Sequence, residues 1–138
     1  MMSKHNLDVH KYWEERLASS PNLKGTGHRA FSLGYNQYLY QAQLNCLVYL
    51  LDKWKVGLLN SRVLDIGSGL GFYIDFYRDR GAGEILGMDI SETSVSFLKE
   101  KYPADKFLLA DISNCTLDGL GEFDFISVVS VLYHVVED

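Results

Sequence analysis

With 138 residues, 47% of them hydrophobic and 22% charged, the chain is long enough for one domain with a real core and too apolar to be disordered. A net charge of -5 and a pI near 5.3 leave no basic footprint for a nucleic-acid backbone. Cys46 and Cys115 form no Cys-x-x-Cys, four scattered histidines lack zinc spacing, and no apolar run approaches the roughly 20 residues of a membrane helix.

The opening "MMSKHNLDVHKYW" has no apolar signal-peptide region, so a cytoplasmic protein with no nucleic-acid or membrane partner is expected. Asp8 is placed to cap a first helix running to about Ser19, with Val9, Trp13 and Leu17 on one face. Residues 19–34, "SSPNLKGTGHRAFSLG", read as a loop between two helices, of a length that often carries function. A second helix is expected from about Asn36 to Lys55, its apolar stripe supplied by Leu39, Leu44, Leu47, Val48, Leu51 and Trp54. Tyr35, Tyr38 and Tyr40 crowd its start.

From residue 62 the rhythm changes. "RVLDIG" is a short strand, "FYIDFYRDRGAG" a helix stopped by Gly81 and Gly83, and "EILGMDI" a second strand. "SETSVSFLKEKYP" is a helix with Ser91 as its N-cap and Pro103 just past its end. "KFLLADI" is a third strand, and "FDFISVVSV", residues 123–131, begins a fourth after a turn-rich connection. Strands alternating with helices imply βαβ units and a parallel sheet. The apolar run at residues 125–129 lacks alternation, as a strand covered on both faces should.

The stretch "LDIGSGLG" places glycine at 67, 69 and 71, at the end of the first strand and the start of a helix. In open α/β sheets, ligands lie outside the carboxyl ends of the strands, and a backbone without Cβ atoms can touch one. The dinucleotide fingerprint G-x-G-x-x-G does not fit, because the third glycine comes one residue early. Asp65, inside the strand end, is a poor neighbour for pyrophosphate and suits a cation. A tight strand-to-helix turn without a ligand is the plain alternative.

Asp89 ends the second strand, where a carboxylate can accept both ribose hydroxyls. Asp111 ends the third, placed to accept from an adenine amine, with Ile112 or Ser113 offering a backbone N–H to the ring. Each acid alone reads equally well as a helix cap or turn former. The three together, past three different strands, converge on one edge of the sheet.

"VLDIGSGLG", "GMDIS", "LLADIS" and "FDFISVVSVLYHV", in this order and spacing, resemble the successive cofactor motifs of class I S-adenosylmethionine-dependent methyltransferases, across about residues 62–136. The resemblance implies an α/β fold, a parallel Rossmann-like sheet with flanking helices. Residues 1–56 would then form an N-terminal helical cap and residues 57–138 an incomplete S-adenosylmethionine-binding subdomain, truncated after the fourth strand. It implies that Asp65, Gly67, Ser68, Gly69 and Gly71 contact the methionine end of the cofactor. Asp89 with Ile90 would hold the ribose, Asp111 with Ile112 the adenine, and Ser130 would touch the cofactor through its backbone. "VLYHV" is similar to the small-molecule branch of the family, and the amino-group signature Asn/Asp-Pro-Pro-Tyr/Phe is missing.

The implied reaction is in-line methyl transfer to a small-molecule acceptor. His134 is the candidate general base, with packing over the cofactor as its plain alternative. Arg29 is a candidate partner for the cofactor carboxylate, and Tyr35 or Tyr38 for the sulfonium; a surface loop and core aromatics are the alternatives. Two other functions stay open: a non-catalytic cofactor-binding or assembly module, and, less consistent with the glycine spacing, an NAD-type oxidoreductase domain. A fourth strand left as a bare edge implies a fragment of a longer protein or self-association through that edge.

Overall fold

The computed structural model describes residues 8–135. Helix α1 spans Val9–Ser19 and starts where Asp8 accepts the Lys11 N–H at 3.0 Å. The segment read as one loop contains a short helix, α2, Leu23–Thr26. Its signal is Asn22, whose side chain accepts the Lys24 N–H at 2.9 Å. Helix α3, Leu33–Trp54, begins three residues earlier than the apolar stripe suggests, because Ser32 Oγ takes the Tyr35 N–H at 3.1 Å. It ends at Lys55, which adopts a left-handed conformation with φ 54°.

Four parallel strands follow: β1 Arg62–Ile66, β2 Glu84–Asp89, β3 Lys106–Leu109 and β4 Phe125–Val128. Their order is β3-β2-β1-β4, with Asp65 beside Gly87 on one side and Ser127 on the other. Helix α4, Phe72–Asp79, joins β1 to β2, and α5, Glu92–Lys101, joins β2 to β3.

Two strands are shorter than the sequence suggests. Strand β3 stops at Leu109 because Asp111 turns the chain: its Oδ1 accepts the Ser113 N–H at 2.8 Å and the Ser113 hydroxyl at 2.7 Å. Strand β4 stops at Val128 because Ser130 takes φ 58°, and a single 3₁₀ turn, Leu132–His134, follows.

Strand alternation divides the core. Val63, Ile85 and Phe107 face α3, α4 and α5, packing with Ile74, Tyr77, Val95 and Leu98. Leu64, Ile66, Leu86 and Met88 face the other side, covered by the irregular segment that carries Ile112, Leu120 and Phe123. Each fully buried Leu or Ile of this kind contributes about 1.5–3 kcal/mol. Strand β4 pairs only with β1 among the described residues, and Ile126 on it is 55% exposed.

Candidate functional site

The carboxyl ends of the strands open into a cavity of about 700 Å³, walled by α1, α3, the glycine loop and the turn after β4. The loop is folded over β2: the Gly67 and Ser68 N–H groups donate to the Met88 carbonyl at 2.7 and 3.0 Å. Gly69 N–H then donates to Asp89 Oδ2 at 2.8 Å, and Ser91 N–H to Asp89 Oδ1 at 2.9 Å. Loop and acid are therefore one hydrogen-bonded unit. Burial pushes the Asp89 carboxyl up from its ordinary pKa, and these N–H groups oppose that.

Gly67, Gly69 and Gly71 have φ of 76°, 53° and 82°, the left-handed region that side chains rarely adopt. Space adds a second reason. A Cβ on Gly67 would meet Val131, one on Gly69 would lie 3.0 Å from the Thr26 methyl, and one on Gly71 2.6 Å from the Tyr102 ring.

Of the residues singled out in the sequence, Gly67, Ser68, Gly69, Asp89, Ile90, Asp111, Ile112, Ser130 and His134 line the cavity. Asp111 is both turn former and wall; the Ser113 hydroxyl it accepts lowers its pKa. The His134 ring meets Trp13 of α1 edge to face, centroids 4.9 Å apart. Burial, and then the Arg16 charge, lowers the His134 pKa, so the ring is neutral at pH 7.

Five residues take other places. Asp65 lies behind the loop on the α4 face, where its Oδ1 accepts the Tyr77 hydroxyl at 3.1 Å and burial pushes its pKa to about 6. Gly71 faces Tyr102 and Leu98 rather than the cavity. Arg29 is exposed in a turn and does not line the cavity, nor do Tyr35 and Tyr38, the latter 75% exposed.

The wall instead uses Tyr40 and Gln43 of α3, one turn apart, with Trp13, Thr26 and Tyr73. Gln43 Oε1 accepts the Tyr73 hydroxyl at 3.1 Å, and its Nε2 donates to Ser130 Oγ at 3.1 Å. The sequence signal for Gln43 is a polar residue between Tyr40, Leu44 and Leu47 on an apolar helix face. No group of His, Cys, Asp and Glu among the described residues is arranged to hold a metal.

A family model described as "Methyltransferase domain" matches residues 64–138, just over half of the chain. The chain belongs to this methyltransferase family. The malonyl-[acyl-carrier protein] O-methyltransferase of Hamiltonella defensa is 34% identical to it over 86 residues, covering 62% of this chain and 33% of the relative. The biotin biosynthesis bifunctional protein BioHC of Cellvibrio japonicus is 36% identical over 66 residues, 47% of this chain and 13% of that protein. The chain thus spans a third or less of the length of these two curated relatives.

Magnesium protoporphyrin IX methyltransferase from Synechocystis PCC 6803, solved with bound SAM, superposes with a TM-score of 0.67 at 21% identity. The match covers 97% of this chain and 67% of that one. Phosphoethanolamine N-methyltransferase 1 of Haemonchus contortus superposes with a TM-score of 0.61 at 18% identity, over 80% of this chain and 22% of that one. These likenesses are of fold: the methyltransferase form of the Rossmann-like sheet, with strands in the order 3-2-1-4.

Proposed function

We propose that this methyltransferase chain binds S-adenosyl-L-methionine in the 700 Å³ cavity and transfers its methyl group to a small-molecule acceptor. The observation that carries the reading is the joined unit of Gly69 and Asp89 at the carboxyl edge of the sheet. Each Asp89 oxygen accepts one backbone N–H and keeps lone pairs free for a ribose diol. The glycine loop leaves bare backbone beside it, and the buried Thr26 Oγ1 in the wall has no hydrogen-bond partner among the described residues. The lining thus offers acceptors for a nucleoside and, among the described residues, no lysine or arginine for a pyrophosphate.

When bound, the cofactor supplies a methyl group activated on a sulfonium. The chain's own work is placement, which in favourable cases is worth about 7–11 kcal/mol. Asp89 with Ile90 orients the ribose, and Asp111 with Ile112 orients the base. Trp13 and Tyr40 shield the opposite wall from water. His134, neutral at pH 7, takes the proton of a hydroxyl acceptor. Helices α1, α2 and α3 act as the cap of the site, residues 1–7 of the expected cap lying outside the described residues. Among the described residues no helix is long and apolar enough to cross a membrane.

The test is calorimetry with S-adenosylhomocysteine and with NAD, followed by label transfer from methyl-labelled cofactor. Binding of NAD in place of S-adenosylhomocysteine would overturn the reading. Among the described residues β4 pairs on one side only, which favours a second reading, a binding module completed by another chain; cofactor binding without turnover, in a dimer, would favour it.

A further inference from the structure

Among the described residues, Ser130 is the one cavity residue other than glycine with a positive φ, at 58°. Lys55 and Asn60 share this conformation for local reasons: Lys55 closes α3, and asparagine tolerates the left-handed region. Ser130 has neither reason. A side chain stays in this region only where its surroundings hold it there.

The turn that Ser130 starts has little core of its own. Leu132 and Tyr133 are exposed, and the turn closes on itself through the His134 N–H and the Val131 carbonyl at 2.8 Å. Side chains fasten it to the rest of the molecule. Val131 sits where a Cβ on Gly67 would have to go, and the His134 ring meets Trp13. Ser130 Oγ accepts from Gln43 Nε2 of α3 at 3.1 Å. This last bond acts on the strained residue itself.

Gln43 is oriented for it from its other end. Its Oε1 accepts the Tyr73 hydroxyl at 3.1 Å. Burial pushes the Tyr73 pKa up, so the hydroxyl keeps its proton at pH 7 and donates it. With Oε1 engaged, the amide turns its Nε2 to Ser130. Tyr73 is the second residue of α4, just past the glycine loop. One amide thus joins α3, the helix that follows the glycine loop, and the turn after β4.

We infer that Gln43 is a positioning residue for His134: it holds Ser130 in the left-handed conformation and so sets where the turn after β4 presents the imidazole to the cavity. The inference rests on the reading of His134 as the group that takes the acceptor's proton. The plain competitor is an idle bond between two groups open to water, with Ser130 held in place by β4 alone. Alanine and glycine at position 130 separate the two. Both lack the Oγ, but glycine takes a positive φ without strain.

The experiment is an NMR titration of the imidazoles in the full chain, with the His134 signal assigned by its loss in His134→Gln. It needs no ligand. In the wild-type chain the His134 pKa lies below the ordinary 6.5, through burial first and then the Arg16 charge from α1. Gln43→Leu and Ser130→Ala should each free the turn, expose the ring and raise this pKa by about half a pH unit. Ser130→Gly should move it less than half as far as Ser130→Ala, and Gln43→Leu added to Ser130→Gly should move it no further. A His134 pKa unmoved by Gln43→Leu, or equal shifts in Ser130→Ala and Ser130→Gly, overturns the inference. If Gln43→Leu does not fold, the two substitutions at the exposed Ser130 carry the comparison. Failure of the wild-type chain to bind S-adenosylhomocysteine sinks the proposed function, and the titration still reports on Gln43.

Discussion

Glu14 accepts a hydrogen bond from Ser91 Oγ at 2.7 Å, joining α1 to the N-cap of α5. The same carboxylate takes the Thr93 N–H at 3.2 Å and the Thr93 hydroxyl. The Thr93 hydroxyl is the main reason its pKa lies below the ordinary glutamate value. Ser91 N–H in turn holds Asp89. One acid on the N-terminal helix is therefore tied to the end of the strand that carries the proposed ribose acceptor.

Glu14→Ala should release α1 from α5. Amides of residues 9–19 should then exchange faster, and S-adenosylhomocysteine should dissociate faster, for a loss of about 1 kcal/mol, the typical net contribution of one hydrogen bond. The tie is present in the ionised form and is lost as pH falls through the lowered folded pKa of Glu14. Hydrogen exchange that is unchanged in α1 would show that the tie contributes nothing.

Asp65 should make the protein less stable at neutral pH than in mild acid. Its folded pKa, about 6, lies above the ordinary 3.8, so the folded state binds this proton more tightly than the unfolded one. The contribution is fully present below about pH 4 and is lost as pH rises to about 6. The difference of about two pKa units corresponds to about 3 kcal/mol. Asp65→Asn keeps an acceptor for Tyr77 and should stabilise the chain at pH 8 and do nothing at pH 4. Denaturant titrations at both pH values decide; a difference that does not depend on pH would refute the account.

Asp89→Ala should weaken S-adenosylhomocysteine binding by about 1.5–3 kcal/mol, the range for hydrogen bonds to a charged group. The substitution also leaves the Gly69 and Ser91 N–H groups without their acceptor, so circular dichroism must first show a folded chain. Calorimetry that returns the wild-type affinity would remove Asp89 from the site.

Gly69 and Gly71 should respond differently to alanine. Both have positive φ, but a Cβ on Gly71 meets the Tyr102 ring and Leu98 in the core, whereas one on Gly69 meets only the Thr26 side chain at the cavity wall. Gly71→Ala is therefore expected to lower the melting temperature more, and Gly69→Ala to lower ligand affinity more per unit of lost stability. Equal ratios of the two effects would mean that the loop serves only as a turn.

Ile126→Lys should leave the fold intact and abolish any association through β4. Ile126 is exposed on a strand that pairs only with β1 among the described residues, and a charge on such an edge opposes strand pairing. Light scattering across a concentration series gives the answer. A wild-type chain that stays monomeric with strongly protected β4 amides would remove the exposed edge from consideration.

The sequence by itself determined the alternation of strands and helices and the parallel sheet, because these follow from local rules, and its ordered motifs carried the resemblance to the family; the strand order is read from the structure. Asp8 and Ser91 cap helices through their own neighbours, and glycines at 67, 69 and 71 stand where φ is positive. The apolar run at residues 125–129, expected to be covered on both faces, instead leaves Ile126 exposed, because β4 has no second neighbour among the described residues. Even the shortened ends of β3 and β4 trace to single residues, Asp111 and Ser130, whose turns override a favourable strand pattern. Which side chains face the cavity was decided only by the tertiary structure. Asp65 and Asp89 look alike as acids at strand ends, yet one is turned to Tyr77 behind the sheet and the other to the Gly69 N–H at its edge. Arg29 sits in the glycine-bearing segment and stays exposed, while Arg16, unremarked on a helix face, becomes the buried cation. Trp13, Gln43 and His134 meet around one space because α1 and α3 fold back across the sheet, and contacts between residues up to 121 positions apart leave no periodic trace in the chain.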